Sequence, residues 1–144
     1  MARDVSVVQV TPAMEDYLKG IYHLWGEAGP VTTQRLAEEL VVSSPSVTNM
    51  VKRLHELGLA HHTRYQGVKL TAKGEQVALA VIRRHRLIER YLVESLGFPL
   101  DEAHGEAERL EHHVSVALQA RLDAALGYPG PDPNDARLSR THLQ

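Results

Sequence analysis

Apolar residues first recur at helical spacing between Met14 and Trp25, where Met14, Tyr17, Leu18, Ile21, Tyr22, Leu24 and Trp25 give one apolar face. Thr11-Pro12 supplies a capping hydroxyl and a first-turn proline, and Gly26 and Gly29-Pro30 supply the stop. Val31 to Thr33 predicts a short extended entry. Thr33 then caps a helix from Gln34 to Leu40, with Leu36, Ala37 and Leu40 facing inward. After a tight break at Val41-Val42, Ser43 or Ser44 caps a helix from Pro45 to Leu57, buried along Val47, Met50, Val51 and Leu54 and ended by Gly58. From Leu59 the period changes to two. Ala60, His62 and Arg64 alternate with His61, Thr63 and Tyr65, Gln66-Gly67 turns the chain, and Val68-Lys69-Leu70 returns it as a β-hairpin. Thr71 caps a long helix to about Leu96, closed by Gly97. One last helix is expected from Leu100-Asp101 to about Leu126, before Gly127. The tail that follows is rich in proline and polar residues and is expected to be loose.

The order helix, helix, tight turn, helix, hairpin is that of a winged helix-turn-helix. The third helix would enter the major groove of DNA by its N-terminal end. That end carries Ser43, Ser44, Pro45, Ser46, Thr48 and Asn49. Asparagine pairs bidentately with adenine, and serine and threonine hydroxyls serve as donor or acceptor. Lys52, Arg53, Arg64 and Lys69 suit phosphate, and Thr33 at the start of the second helix completes the expected DNA-facing set. His23, His55, His61, His62, His113 and His142 have no ligand partners in helical register and read as surface or packing residues.

Charge distribution supports a division of labour. The net charge is −2. Lys52, Arg53, Arg64, Lys69 and Lys73 face only Glu56 in the region of the third helix and hairpin. Asp101, Glu102, Glu106, Glu108 and Glu111 face only Arg109 near the start of the last helix. A basic patch favours a polyanion and an acidic cluster favours a cation. With no cysteine in the chain, disulfides and thiolate metal sites are excluded. No apolar run approaches the roughly 20 residues that span a bilayer, and the first ten residues lack the pattern of a signal peptide. The expectation is a cytoplasmic protein with no membrane partner.

Within the acidic region, His104, Glu108, Glu111 and His112 fall on one flank of the expected last helix. That flank lies beside the apolar positions Ala103, Ala107, Leu110, Val114 and Leu118. Polar groups so near a core must be paired or bound to metal. His85 and Glu89, one turn apart on the preceding helix, extend the set, and Asp16 on the first helix could add a further carboxylate. Carboxylates and imidazoles without sulfur favour Mn(II) or Fe(II). A helical metallohydrolase would need an open metal with a nearby base, and no such motif is present, so no enzymatic activity is expected. A winged-helix regulator answering to a small organic ligand is the alternative reading.

The segments MEDYLKGIY, SSPSVTNMVKRL, LTAKGE, RHRLIERYL and HGEAERLEHH together resemble the diphtheria-toxin-repressor family of metal-dependent transcriptional repressors, especially its manganese-transport-regulator branch. The resemblance runs from about Thr11 to Leu126. It implies a mainly α protein with a winged-helix DNA-binding domain at 1–71, a helical metal-binding and dimerisation domain at 72–127, and a polar tail at 128–144. It further implies a metal-dependent regulator that binds palindromic double-stranded operator DNA as a homodimer and represses metal-uptake genes. By position, Asp16, Glu108, Glu111 and His112 match the family's activating metal site, and His85, Glu89 and His104 its ancillary site. Asp16 stands where the iron branch has methionine and Glu108 where it has cysteine, which points to Mn(II), with Fe(II) the alternative. The manganese branch carries a second carboxylate three residues beyond Asp16, where this chain has Lys19. Two separate metal sites per subunit are therefore expected rather than one two-metal cluster. The iron branch also has a C-terminal SH3-like domain, which these 144 residues are not expected to include. The expectation of a homodimer also has a basis in the residues: Val77, Leu79, Ala80, Val81, Ile82, Leu87, Ile88, Tyr91, Leu92 and Val93 make more apolar surface than one small domain is expected to cover.

Overall fold

The computed structural model describes residues 10–26 and 30–127. Gly29 and the expected loose tail at 128–144 lie outside them. The described residues form six helices and one two-stranded antiparallel sheet, divided into two compact units that meet in sequence between Ala78 and Leu79.

The first unit is built from α1 (Pro12–Leu24), α2 (Thr33–Leu40), α3 (Ser44–Glu56), β1 (Ala60–Thr63) and β2 (Gly67–Leu70). Each helix starts on a hydroxyl that accepts from a main-chain N–H. Thr11 caps α1, Thr32 caps α2 and Ser43 caps α3. The cap of α2 is thus one residue earlier than expected. Thr32 rather than Thr33 holds the extended conformation, and its Oγ1 accepts from Arg35 N at 3.0 Å. The turn between α2 and α3 passes through Val41 in the left-handed region (φ 55°), so that Val42 N donates to Ala37 O. That conformation is strained for a β-branched residue.

Leu18, Ile21, Leu36, Val47, Leu54, Leu59 and Val68 are among the fully buried side chains of this unit. Gly20 lets α1 and α2 approach, because a Cβ there would lie 3.2 Å from the Leu40 side chain. In the hairpin Ala60 pairs with Leu70 and Thr63 with Gly67. The turn therefore occupies Arg64 to Gln66, and Gly67 already belongs to the strand. Val31 adds a single bridge to Val68, the extended entry that the sequence suggested.

The chain leaves the hairpin through a close main-chain contact. Thr71 N donates to Leu59 O, Thr71 Oγ1 donates to Gly58 O, and the same oxygen accepts from Gly74 N at 3.0 Å. This starts α4 (Ala72–Leu96), the longest of the described helices. Gly74 is buried, and a Cβ on it would fall 1.9 Å from the carbonyl oxygen of Leu59. The glycine of LTAKGE is therefore a point of contact between backbones.

The second unit contains most of α4, then α5 (Leu100–Leu110) and α6 (Val116–Ala125). The single helix expected from Leu100 to Leu126 is in fact two. The chain leaves helical register at Glu111, turns over 111–113, and restarts at Ser115, whose Oγ accepts from Leu118 N at 3.1 Å. A side-chain cap competes with helix continuation, and Ser115 is that signal in the sequence. The break also ends the apolar stripe. Ala103 and Ala107 are buried, whereas Leu110 and Leu118 are exposed. Ile88 and Leu92 of α4 pack with Ala103 and Ala107 of α5, and Val93, Phe98, Val114 and Leu122 border that cluster. Arg83 of α4 and Asp123 of α6 form a buried ion pair at 2.7 Å. The apolar residues of α4 cited for a dimer are largely covered within the chain. Val81, Ile82, Leu87, Ile88 and Leu92 are buried, and exposure falls instead on Leu96, Leu100, Leu110, Val116 and Leu118.

Two stability measurements test these packing arguments. Alanine has a helix propensity about 1 kcal/mol better than glycine, yet Gly74→Ala is expected to destabilise the first unit, because the added carbon meets a carbonyl that is itself hydrogen-bonded. Urea denaturation followed by circular dichroism checks the sign. Asp123→Ala is expected to cost about 3–5 kcal/mol by leaving a buried guanidinium without this carboxylate. Combining it with Arg83→Met should return most of that loss, and a double variant no more stable than the single would overturn the ion-pair account.

Candidate metal centre and nucleic-acid interface

In the second unit the ligand-type residues converge on His85. This side chain is buried on α4, and its Nδ1 lies 2.7 Å from Oε1 of Glu111, a carboxylate with no exposed surface. An ionised carboxylate only accepts, which assigns the ring hydrogen to Nδ1. In the neutral ring the other nitrogen, Nε2, offers a lone pair. It lies 3.1 Å from His104 Nδ1 and 3.6 Å from Glu89 Oε2, and His104 Nδ1 is itself 3.1 Å from Glu89 Oε2. His85, Glu89 and His104 thus offer three ligand atoms within 4.8 Å of one another. A histidine whose distal N–H is held by a carboxylate, with its lone pair turned toward other donors, is the usual arrangement of a metal-ligating imidazole. The donor set of two imidazoles and a carboxylate fits a divalent cation.

Helix geometry explains this convergence. His85 and Glu89 are one turn apart on α4, and His104 comes from the middle of α5. Glu111 reaches the core because α5 ends there. Arg84 donates to its main-chain carbonyl at 3.0 Å, which satisfies an oxygen the helix end leaves open. The second carboxylate oxygen of Glu111 lies 3.5 Å from His112 Nε2. Glu108, in contrast, is exposed and 3.4 Å from the outer nitrogen of His104. It is drawn toward the His85 group rather than to Glu111. Asp16 is an exposed residue of α1, in the other unit. The sequence reading missed Arg84 as the group completing the end of α5. Its only signal was a cation one residue before His85.

In the first unit the residues expected to face DNA are nearly all on the surface. Ser43, Ser44, Pro45, Ser46, Thr48, Asn49, Lys52 and Arg53 are exposed along the start and outer side of α3, and Arg64 and Lys69 along the hairpin. Ser43 is committed to capping, with its hydroxyl also donating to Ser46 Oγ at 2.9 Å. The Arg64 guanidinium lies 5.6 Å from the Tyr65 ring centre and Lys69 Nζ lies 5.5 Å from that of Trp25. These aromatic faces hold both cations along the wing. A cleft of about 420 Å³ is lined by Thr33, Thr48, Val51, Lys52, His55 and His62. Two histidines read from sequence as surface or packing residues therefore sit with expected DNA-facing ones. The missed signal was spacing: Thr48, Lys52 and His55 follow one helical face at i, i+4 and i+7.

Comparison with known proteins supplies the family. Residues 9–68 match the family model "Iron dependent repressor, N-terminal DNA binding domain", and residues 71–137 match "Iron dependent repressor, metal binding and dimerisation domain". The iron-dependent repressor IdeR of Mycobacterium leprae is 40% identical over 119 residues, which are 83% of this chain and 52% of that protein. The HTH-type transcriptional regulator MntR of Bacillus subtilis is 36% identical over 127 residues, covering 88% of this chain and 87% of that one. Among solved structures, a manganese-dependent transcriptional repressor in complex with manganese superposes with a TM-score of 0.72 at 46% identity, over 83% of this chain and 55% of that chain. The chain spans about half the length of IdeR and of that solved repressor. A winged helix-turn-helix unit followed by a helical unit with a histidine–carboxylate cluster, matched along nearly its whole described length, makes this chain a member of the iron-dependent repressor family that includes the diphtheria toxin repressor and MntR.

Proposed function

We propose that this protein is a metal-responsive transcriptional repressor, a homodimer that binds palindromic operator DNA when loaded with Mn(II) and restrains metal uptake. The observation that carries the reading is the buried Glu111 carboxylate fastening His85, so that its free nitrogen meets Glu89 and His104. Burying such groups costs free energy unless they are paired or ligating, and their mutual pairing here turns three donor atoms toward one another as a bound cation would require. The ancillary site is assigned to His85, Glu89 and His104. The activating site is assigned to Asp16, Glu108, Glu111 and His112. The oxygen and nitrogen donors of both favour Mn(II), with Fe(II) second. Bound there, a divalent cation would supply the positive charge that lets the carboxylates lie together.

The ligands' distribution along the chain suggests how loading alters DNA binding. Asp16 belongs to the helix that precedes the reading head, and Glu108, Glu111 and His112 to the helical unit. Without a counter-charge these carboxylates repel. With it, Asp16 ties α1 to the helical unit and restricts the positions of α3 in each subunit. Two reading heads held at a spacing of about 34 Å meet successive major grooves. Ser46, Thr48 and Asn49 would read bases there, with Lys52, Arg53, Arg64 and Lys69 on phosphate. Lys19, in place of a second carboxylate, favours separate metal sites.

An operator recovered by selection from random duplexes, titrated by fluorescence anisotropy, tests this. Mn(II) should tighten binding about 100-fold over chelator, the upper range of allosteric coupling, and Asp16→Ala should remain a folded dimer that loses this gain. An undiminished manganese response in Asp16→Ala would refute its role, and metal-independent operator binding would favour a regulator of another ligand. In the loaded protein, affinity should also fall with salt at a slope of about −0.9 per phosphate contact. A flat salt profile is incompatible with the assigned lysine and arginine contacts.

A further inference from the structure

The cleft between α2, α3 and β1 sets two imidazoles and a hydroxyl that the proposed contacts leave unused, His55, His62 and Thr33, beside two residues already assigned to DNA. Thr33 and Thr48 bring hydroxyls, Lys52 an ammonium, and His55 and His62 imidazoles, over a floor that includes the buried Val51. Among the described residues, no carboxylate lines it. The groups that carry or can gain charge there are Lys52 and His55 from α3 and His62 from β1, while α2 contributes the Thr33 hydroxyl. Next to them, His61 of β1 meets the His55 ring edge-on at 5.8 Å and is paired in register with Lys69 of β2. One fixed cation, two titratable cations and two hydroxyl donors, with no anion lining the cleft, are complementary to an anion. Thr48 and Lys52 are exposed beside Asn49 and Arg53 on the outer side of α3, so the anion at hand is a phosphate of the DNA backbone.

We propose that this cleft receives a backbone phosphate of bound DNA and that His55 and His62 hold it as imidazolium ions, so that DNA affinity rises as pH falls through the histidine range. The inference rests on the DNA-binding reading above. Its sign follows from linkage. Phosphate favours the charged ring, so binding takes up protons, and acidification drives binding until both rings are charged in the free protein as well. The metal-site histidines act in the opposite direction, since protonation there displaces metal. The two effects are therefore separable by sign and by holding Mn(II) saturating at each pH. Because phosphate contacts carry no sequence information, a random-sequence duplex serves as the probe.

Anisotropy titrations of the Mn(II)-loaded full chain with that duplex, between about pH 8 and pH 6, should show affinity rising at least about tenfold, with the salt slope steepening by about 0.9 for each further phosphate that the protein neutralises. His55→Gln combined with His62→Gln should bind with an affinity that no longer rises between about pH 8 and pH 6. In the unaltered protein, proton NMR of the imidazoles should show the titration midpoints of His55 and His62 moving upward on adding duplex. A flat pH profile in a protein that binds DNA overturns this inference alone, as does a double variant that keeps the full gain or NMR midpoints indifferent to DNA. Absence of DNA binding at every pH overturns the repressor reading as well.

Discussion

A carboxylate with no exposed surface, Glu111, bonded to an equally buried imidazole, His85, is the interaction on which the helical unit's chemistry depends. Both groups have lost water, and each would be costly alone. Together they fix a ring that would otherwise rotate, deciding which nitrogen carries hydrogen and which offers a lone pair. The position of His104 and the approach of Glu89 follow from that orientation. The same constraint shapes the backbone. Glu111 stands at the end of α5, where its carbonyl is satisfied by Arg84, and the chain must turn before Ser115 begins a new helix. Helix break and ligand cluster are one feature.

The winged-helix unit is organised by a different economy, in which main-chain groups are satisfied locally so that side chains remain outward. Thr11, Thr32 and Ser43 cap the three helices, and Thr71 joins the hairpin's exit to the first turn of α4. Gly74 permits that approach by having no side chain. With the interior closed by Leu18, Ile21, Leu36, Val47 and Leu54, the polar residues of α3 are left on the surface. The strained Val41 at the turn is a local choice that runs against propensity.

Charge sets α3 and the hairpin apart from the ligand cluster of the helical unit. The cations of α3 and the hairpin are spread over exposed surface, two of them braced on Tyr65 and Trp25. Several acids of the helical unit are paired. His104 contacts both Glu89 and Glu108, and Asp123 neutralises Arg83 in the interior. A surface built to meet phosphate needs cations that water can still reach. A cluster built to receive a cation needs acids already gathered, at a cost in repulsion that protonated or hydrogen-bonded histidines lessen.

The order of elements as far as α4, the hairpin, the cap at Thr11 and a serine cap at Ser43 or Ser44 were legible in the sequence, because periodicity and capping are local properties that survive without coordinates. Three things were not. Ser115 marks where a new helix starts, but the point at which the preceding one stops, Glu111, depends on Arg84 and His85, which are distant in sequence. The choice of Glu111 as the buried anchor, with Glu108 left exposed, depends on where α5 ends against α4. The company that His55 and His62 keep with Thr33 and Lys52 arises only when β1 folds beside α3. A residue's type states what bonds it can make, but burial and approach decide which ones it does make, and those are set by packing between segments that no local pattern links.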